Sequence, residues 1–182
     1  MLILIITSFY FILPAYVANM APVIFAKLNL LNYLSKPIDG GYKIGQQDFF
    51  GKNKTWRGLV AGLIMGILVA FVQSLLVRVS FFAQISLVDY QHIFILFGAA
   101  SGAGALLGDL IKSFIKRRIN IDSGKSWPVF DQLDFVIGSL LFTWSFYVPT
   151  WQVALTIIIL TLILHPLANL SGYWLKLKKV WW

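Results

Sequence analysis

Apolar residues fall in long unbroken runs along this chain, with neither the alternation of a half-buried strand nor the stripe of a soluble helix. Residues 1–26 carry no charge, and Pro14 and Asn19 lie inside that run. Residues 58–77 are uncharged between Arg57 and Arg78, a third run extends from His92 to Leu107, and a last one from Trp151 to Gly172. The run from Phe135 to Pro149 is short, so its helix is expected to begin at Asp131 in the headgroup zone. A membrane core of about 30 Å asks for about 20 such residues. The pattern therefore predicts an all-α integral membrane protein, a five-helix bundle built as one polytopic domain, with spans at about 1–27, 57–79, 91–111, 131–149 and 151–172. Two larger loops, 28–56 and 112–130, connect them. The first run lacks a basic leader and is too long for the core of a secretory signal, so it is expected to be a retained span.

Composition agrees with the pattern and charge orients it. Hydrophobic residues make up 59% of the chain, against roughly half in soluble domains, and the mean hydropathy is +0.80. The net charge of +8 is gathered in short blocks between apolar runs, which points to topology and anionic ligands and not to nucleic acid. Lys36, Lys43, Lys52, Lys54 and Arg57 share the first loop, Lys112, Lys116, Arg117, Arg118 and Lys125 the second, and Lys176, Lys178 and Lys179 the tail. Only Arg78 falls between spans on the other side. The positive-inside rule then puts the amino terminus outside the cell membrane, and the two loops and the tail in the cytoplasm. With no cysteine, disulfides, thiolate metal sites and cysteine nucleophiles are excluded.

The acidic residues change the picture from a membrane protein to a candidate enzyme. Asp109 follows an uncharged run, with Lys112 and Lys116 three and seven positions on, along one helical face. Asp131 and Asp134 are three apart at the start of the fourth span and share a face too. Positive-inside topology explains cations at a membrane edge but not three carboxylates among them. Hard carboxylate oxygens suit Mg²⁺, while lysine and arginine neutralise phosphate oxygens. The plainer alternative is a solvated basic loop whose aspartates merely pair with neighbouring cations. In the first loop, Lys52, Asn53, Lys54, Thr55 and Arg57 precede Gly58 and offer charge and directional donors where a triphosphate would meet a helix amino terminus. Glycines 98, 102, 104 and 108 have the spacing of close helix packing. Gly124-Lys125-Ser126 does not make a phosphate-binding P-loop, because Ile119 stands where that motif needs glycine.

These stretches carry a family resemblance. Pro14-Ala15-Tyr16-Val17-Ala18-Asn19-Met20-Ala21-Pro22, the loop from Gly51 to Gly58, the helix from Gly108-Asp109 to Arg118, and Trp127-Pro128 through Asp131-Gln132-Leu133-Asp134-Phe135 resemble the CDP-archaeol synthase family, over essentially the whole chain. Departures fall at Asn120, Ser123 and the Val180-Trp181-Trp182 end. The resemblance implies a reaction in which CTP and a membrane lipid phosphate give a CDP-lipid and pyrophosphate with Mg²⁺. It implies Asp109, Asp131 and Asp134 as metal ligands and Lys112 and Lys116 beside the lipid phosphate. Lys52, Asn53, Lys54, Thr55, Arg57 and Arg117 would bind nucleotide phosphates. A CDP-alcohol phosphotransferase would also keep aspartates at the surface, but its Asp-Gly motif with Ala-Arg close behind is absent, since Asp39-Gly40 continues as Gly41-Tyr42. A transporter or scaffold would carry charges at the midplane or inverted repeats, whereas here the charges gather at one face.

Overall fold

The computed structural model describes residues 1–176, so Lys178, Lys179 and the Val180-Trp181-Trp182 end lie outside the described residues. Helix α1 (Leu2–Lys27) is followed by a short 3-10 turn (Asn32–Leu34) and a small antiparallel hairpin, β1 (Lys43–Ile44) and β2 (Gln47–Asp48), with Lys43 opposite Asp48. Then come α2 (Trp56–Leu76), α3 (Ser80–Gln84), α4 (Tyr90–Arg118), α5 (Phe130–Thr143) and α6 (Trp151–Trp174).

Among the described residues, α1, α2, α4 and α6 are long and apolar enough to cross a membrane. In hydrocarbon a helix satisfies its own backbone, which is why these apolar runs are helical throughout even where α1 contains Pro14 and Pro22. The expected third span and the charged helix after it form one continuous rod of 29 residues, α4. The span expected over 131–149 differs. Helix α5 has 14 residues and ends at Thr143, about 21 Å of helix against a core of about 30 Å. Past Thr143 the amides of Phe146 and Tyr147 both close on the Thr143 carbonyl, at 3.0 and 3.1 Å, in one last turn, and Pro149 has no amide to continue a helix. Thr150 then caps α6 by accepting from the Val153 amide at 3.4 Å.

Helix α4 is the centre of the bundle because it is smooth on two sides. Toward α2, a Cβ on Gly98 would sit 2.8 Å from the Gly66 carbonyl oxygen. Toward α5 the approach is closer still, and a Cβ on Gly108 would sit 2.2 Å from the Asp134 carbonyl oxygen. Backbone-to-backbone contact of this kind needs residues without side chains. The remainder of the core is aromatic and aliphatic, with Phe11, Phe97, Tyr90, Phe135 and Ile157 fully buried. Rings of Phe11 and Phe97 meet at 5.3 Å, and those of Tyr10 and Tyr90 meet edge-on at 5.7 Å. Polar links between helices are sparse and paired, such as Tyr16 donating to Thr161 Oγ1 at 2.8 Å and Ser101 with Ser139 at 2.9 Å.

Candidate active site

Asp109 lies one residue beyond Gly108, where α4 presses on α5, and the opposing backbone oxygen belongs to Asp134. The glycine contact thus sets the separation of two carboxylates carried by different helices. Asp131 is held from its own side. It lies in the first turn of α5, where the helix dipole favours an anion. Its Oδ2 accepts from the Trp127 amide and its own amide donates to the Trp127 carbonyl at 2.9 Å. The ring of Trp127 stacks on Phe130 at 4.1 Å, closing that turn.

One ammonium ties the three carboxylates together. Lys112 Nζ lies 3.1 Å from Asp109 Oδ1, 3.0 Å from Asp131 Oδ1 and 2.7 Å from Asp134 Oδ2. Lys116 Nζ donates to both oxygens of Asp131 at 3.1 Å, and Lys54 pairs with Asp109 Oδ2. Three lysines and three aspartates therefore balance in a largely buried cluster, the Asp134 side chain being 5% exposed and that of Lys112 14%. Such a cluster is held by its partners, because an uncompensated buried charge costs about 3–5 kcal/mol.

Lys54 reaches Asp109 because the first loop docks on the end of α4. Arg118 Nη2 donates to the Asp48 carbonyl at 2.7 Å, and Arg117 Nε to the Phe50 carbonyl at 3.4 Å while its Nη1 takes the Ile121 carbonyl. Phe49 packs on Phe114 with ring centres 4.9 Å apart, and Asn53 Nδ2 donates to Ser123 Oγ at 3.3 Å. At Gly51 the backbone has φ +109, and a Cβ there would meet Ser123 Oγ at 3.2 Å. Inside the loop, Asp39 gathers the amides of Gly41 at 3.0 Å, Phe50 at 2.9 Å and Gly51 at 3.4 Å. Burial raises the Asp39 pKa, but these amide donors outweigh it and hold the carboxyl below its ordinary value. A depressed folded pKa means stabilisation that is present above the unfolded value and lost as pH falls through the folded one. Asp39→Asn is expected to speed hydrogen exchange at the Phe50 and Gly51 amides by about fivefold at neutral pH. The difference from the unsubstituted protein should vanish in acid, and equal exchange at neutral pH would refute the assignment.

Of the sequence-predicted residues, Asp109, Asp131, Asp134, Lys112, Lys116 and Lys54 come together. The others are placed differently. Thr55 caps α2 by accepting from the Gly58 amide at 3.2 Å, and Arg57 Nη1 donates to Asn32 Oδ1 at 2.9 Å. The Trp56 amide is already taken by the Lys36 carbonyl at 3.1 Å, so part of the α2 amino terminus is satisfied from within the chain. Arg117 is buried between the two loops, Asn53 bonds across them and Lys52 is exposed. Gly138 and Asp39 were missed by sequence reasoning, and Arg118 was read only as part of a basic cluster. Gly138 did leave a signal, since it stands one helical turn beyond Asp134.

Among the described residues no three His or Asp side chains are grouped to hold a metal as they stand. The donors nonetheless fit a hard divalent cation in kind and direction, for three carboxylates converge within 3.1 Å of a single cationic centre, and that centre is Lys112 Nζ.

Long apolar helices that carry a buried, charge-balanced cluster of carboxylates and ammonium groups at one end define a multi-pass membrane enzyme. The family model for CarS-like CDP-archaeol synthases matches residues 1–182. The chain belongs to the CDP-archaeol synthase family, and is accordingly a CTP-dependent cytidylyltransferase. The CDP-archaeol synthase of Methanococcus aeolicus is 35% identical over 181 residues, covering 98% of this chain and 97% of that one. That of Methanocaldococcus jannaschii is 36% identical over 182 residues, with 98% of each chain covered. A solved structure of an intramembrane enzyme for archaeal membrane lipid biosynthesis superposes with a TM-score of 0.72 at 30% identity, over 88% of this chain and 91% of that one.

Proposed function

We propose that the protein transfers the cytidylyl group of CTP to a membrane lipid phosphate of the 2,3-di-O-geranylgeranylglycerol 1-phosphate type, giving CDP-archaeol or a closely related CDP-lipid and pyrophosphate. Family membership selects cytidylyl transfer over the phosphotransferase and transporter alternatives. The observation that carries the site assignment is the convergence of Asp109, Asp131 and Asp134, from two helices, on the ammonium group of Lys112.

A phosphate oxygen of the lipid forms the new bond to the α-phosphorus of CTP, and the bond from that phosphorus to the leaving oxygen breaks as pyrophosphate departs. The nucleophile is already anionic, so the chain supplies no strong base; it aligns two anions and offsets their repulsion. Asp109, Asp131 and Asp134 would hold one or two Mg²⁺, which neutralise polyphosphate charge when bound. Lys54 and Lys112 stand where they can turn to nucleotide phosphates. Lys116, at the carboxyl-terminal end of α4, is assigned to the lipid phosphate. Lys52 and Arg57 approach from the exposed side of the first loop, whereas Asn53, Thr55 and Arg117 act by shaping that loop.

The same reading makes the protein a single domain of five spans in the cell membrane, with the amino terminus outside and the site cytoplasmic. Here α5 completes the fourth crossing with the non-helical residues 144–149. The loop cations support this orientation. One assay tests both parts. In inverted vesicles, labelled CTP added to the bath is expected to label the isoprenoid ether lipid phosphate, and in right-side-out vesicles it is not. Equal use of ATP would overturn the nucleotide assignment, and turnover confined to right-side-out vesicles would overturn the orientation.

A further inference from the structure

Each carboxylate of the cluster is already paired with an ammonium group. Asp109 is held by Lys54 and Lys112, Asp131 by Lys112 and Lys116, and Asp134 by Lys112. A divalent cation bonding these oxygens at about 2.0–2.1 Å would take the point they surround, and an ammonium 2.7–3.1 Å from the same oxygens cannot remain there beside it. We infer that Lys112 is the resting occupant of the metal position, and that metal and triphosphate enter by exchange. The cation takes the carboxylates, and the displaced ammonium groups, Lys112 first, turn to phosphate oxygens. This rests on the cytidylyltransferase reading of the site.

The consequence is coupled binding. A metal ion arriving alone must expel a mostly buried ammonium from three anionic partners and offers it nothing in return. A triphosphate arriving alone finds the lysines engaged with aspartates. When both arrive, every charge exchanges one partner for another and none is left bare. Each ligand then raises the affinity for the other by the same factor. The resting network also explains how three carboxylates stay together in a buried place before any metal is bound.

The test uses Mn²⁺ as the probe, with the full chain in detergent and no nucleotide, reading free Mn²⁺ by its paramagnetic resonance. Lys112→Met is expected to bind Mn²⁺ about tenfold more tightly than the unsubstituted protein, because the competing cation is gone. Binding by Lys112→Met that is equal or weaker overturns the exchange. Asp134→Asn separates this from failure of the site assignment. If that variant binds Mn²⁺ as the unsubstituted protein does, the metal is not on this cluster and both readings fall. A second measurement needs no variant. Amine acylation of the unsubstituted protein, mapped by mass spectrometry, is expected to label Lys112 slowly without metal and severalfold faster, relative to Lys52, at saturating Mg²⁺. Unchanged labelling of Lys112 at saturation overturns the inference.

Discussion

Asp109→Asn, Asp131→Asn and Asp134→Asn are each expected to lower CDP-lipid formation on the order of a hundredfold or more while the bundle stays folded. Each change keeps the size of the side chain and one oxygen but removes a full charge from a site that must hold a divalent cation beside a polyphosphate. Lys112 keeps two of its three carboxylate partners after any single substitution. Among the described residues, Asp109→Asn takes the one carboxylate paired with Lys54, and Asp131→Asn the one paired with Lys116, which still donates to the Lys125 carbonyl. Asp134→Asn should therefore cost the fold least. The charge left on Lys54 or Lys116 is the costlier part of those two variants, as an unpaired buried charge is destabilising, and the melting temperature of each variant separates that loss from lost catalysis. Were the aspartates only ion-pair partners, a contribution of about 0–1 kcal/mol apiece would leave each variant within a fewfold of full activity. A Mg²⁺ titration of CDP-lipid formation separates the two, since loss of a ligand raises the metal requirement. Near-full activity with an unchanged Mg²⁺ midpoint in all three variants would falsify the metal assignment.

Gly138→Ala is the second large effect, and it acts without touching a charge. A Cβ at Gly138 would lie 2.1 Å from the Gly104 carbonyl oxygen, with Gly108 Cα another 3.1 Å neighbour, so α5 must back away from α4. Restoring ordinary contact takes about 1 Å, and a displacement of that size at a reacting centre costs on the order of a hundredfold in rate. Overpacking should also cost about 1–3 kcal/mol of stability. Gly66→Ala provides the comparison. Its Cβ would meet the Gly98 carbonyl at 2.9 Å, on the α2 side of α4, away from the Asp109 and Asp134 pair. It should lower the melting temperature but leave most of kcat, whereas Gly138→Ala should lower both. If Gly138→Ala melts and turns over as the unsubstituted protein does, the helix spacing does not govern the site.

The uncharged runs determine the long helices by themselves, because a backbone in hydrocarbon has no partner but itself and an apolar stretch of the right length has one way to comply. Spacing along a helix is equally local, so Asp109 with Lys112, and Asp131 with Asp134, could be placed on common faces before any packing was known. Glycines at 98, 102, 104 and 108 announced close neighbours for α4, though not which helices they would be. That α2 takes one face and α5 the other, and that Gly138 is the counterpart on α5, came only from packing. So did the early end of α5, where the chain turns on the Thr143 carbonyl short of Pro149 although apolar residues continue to Val148. Thr55 and Arg57 read in sequence as phosphate ligands beside Lys54. In the structure Thr55 caps α2, Arg57 donates to Asn32, and of the three only Lys54 meets Asp109, 55 positions away. A hydroxyl or guanidinium next to a helix start can serve either purpose, and composition cannot choose between them. What chooses is the docking of the first loop on α4 through Arg117 and Arg118, a set of contacts between residues some 70 positions apart that leaves no period or spacing in the chain.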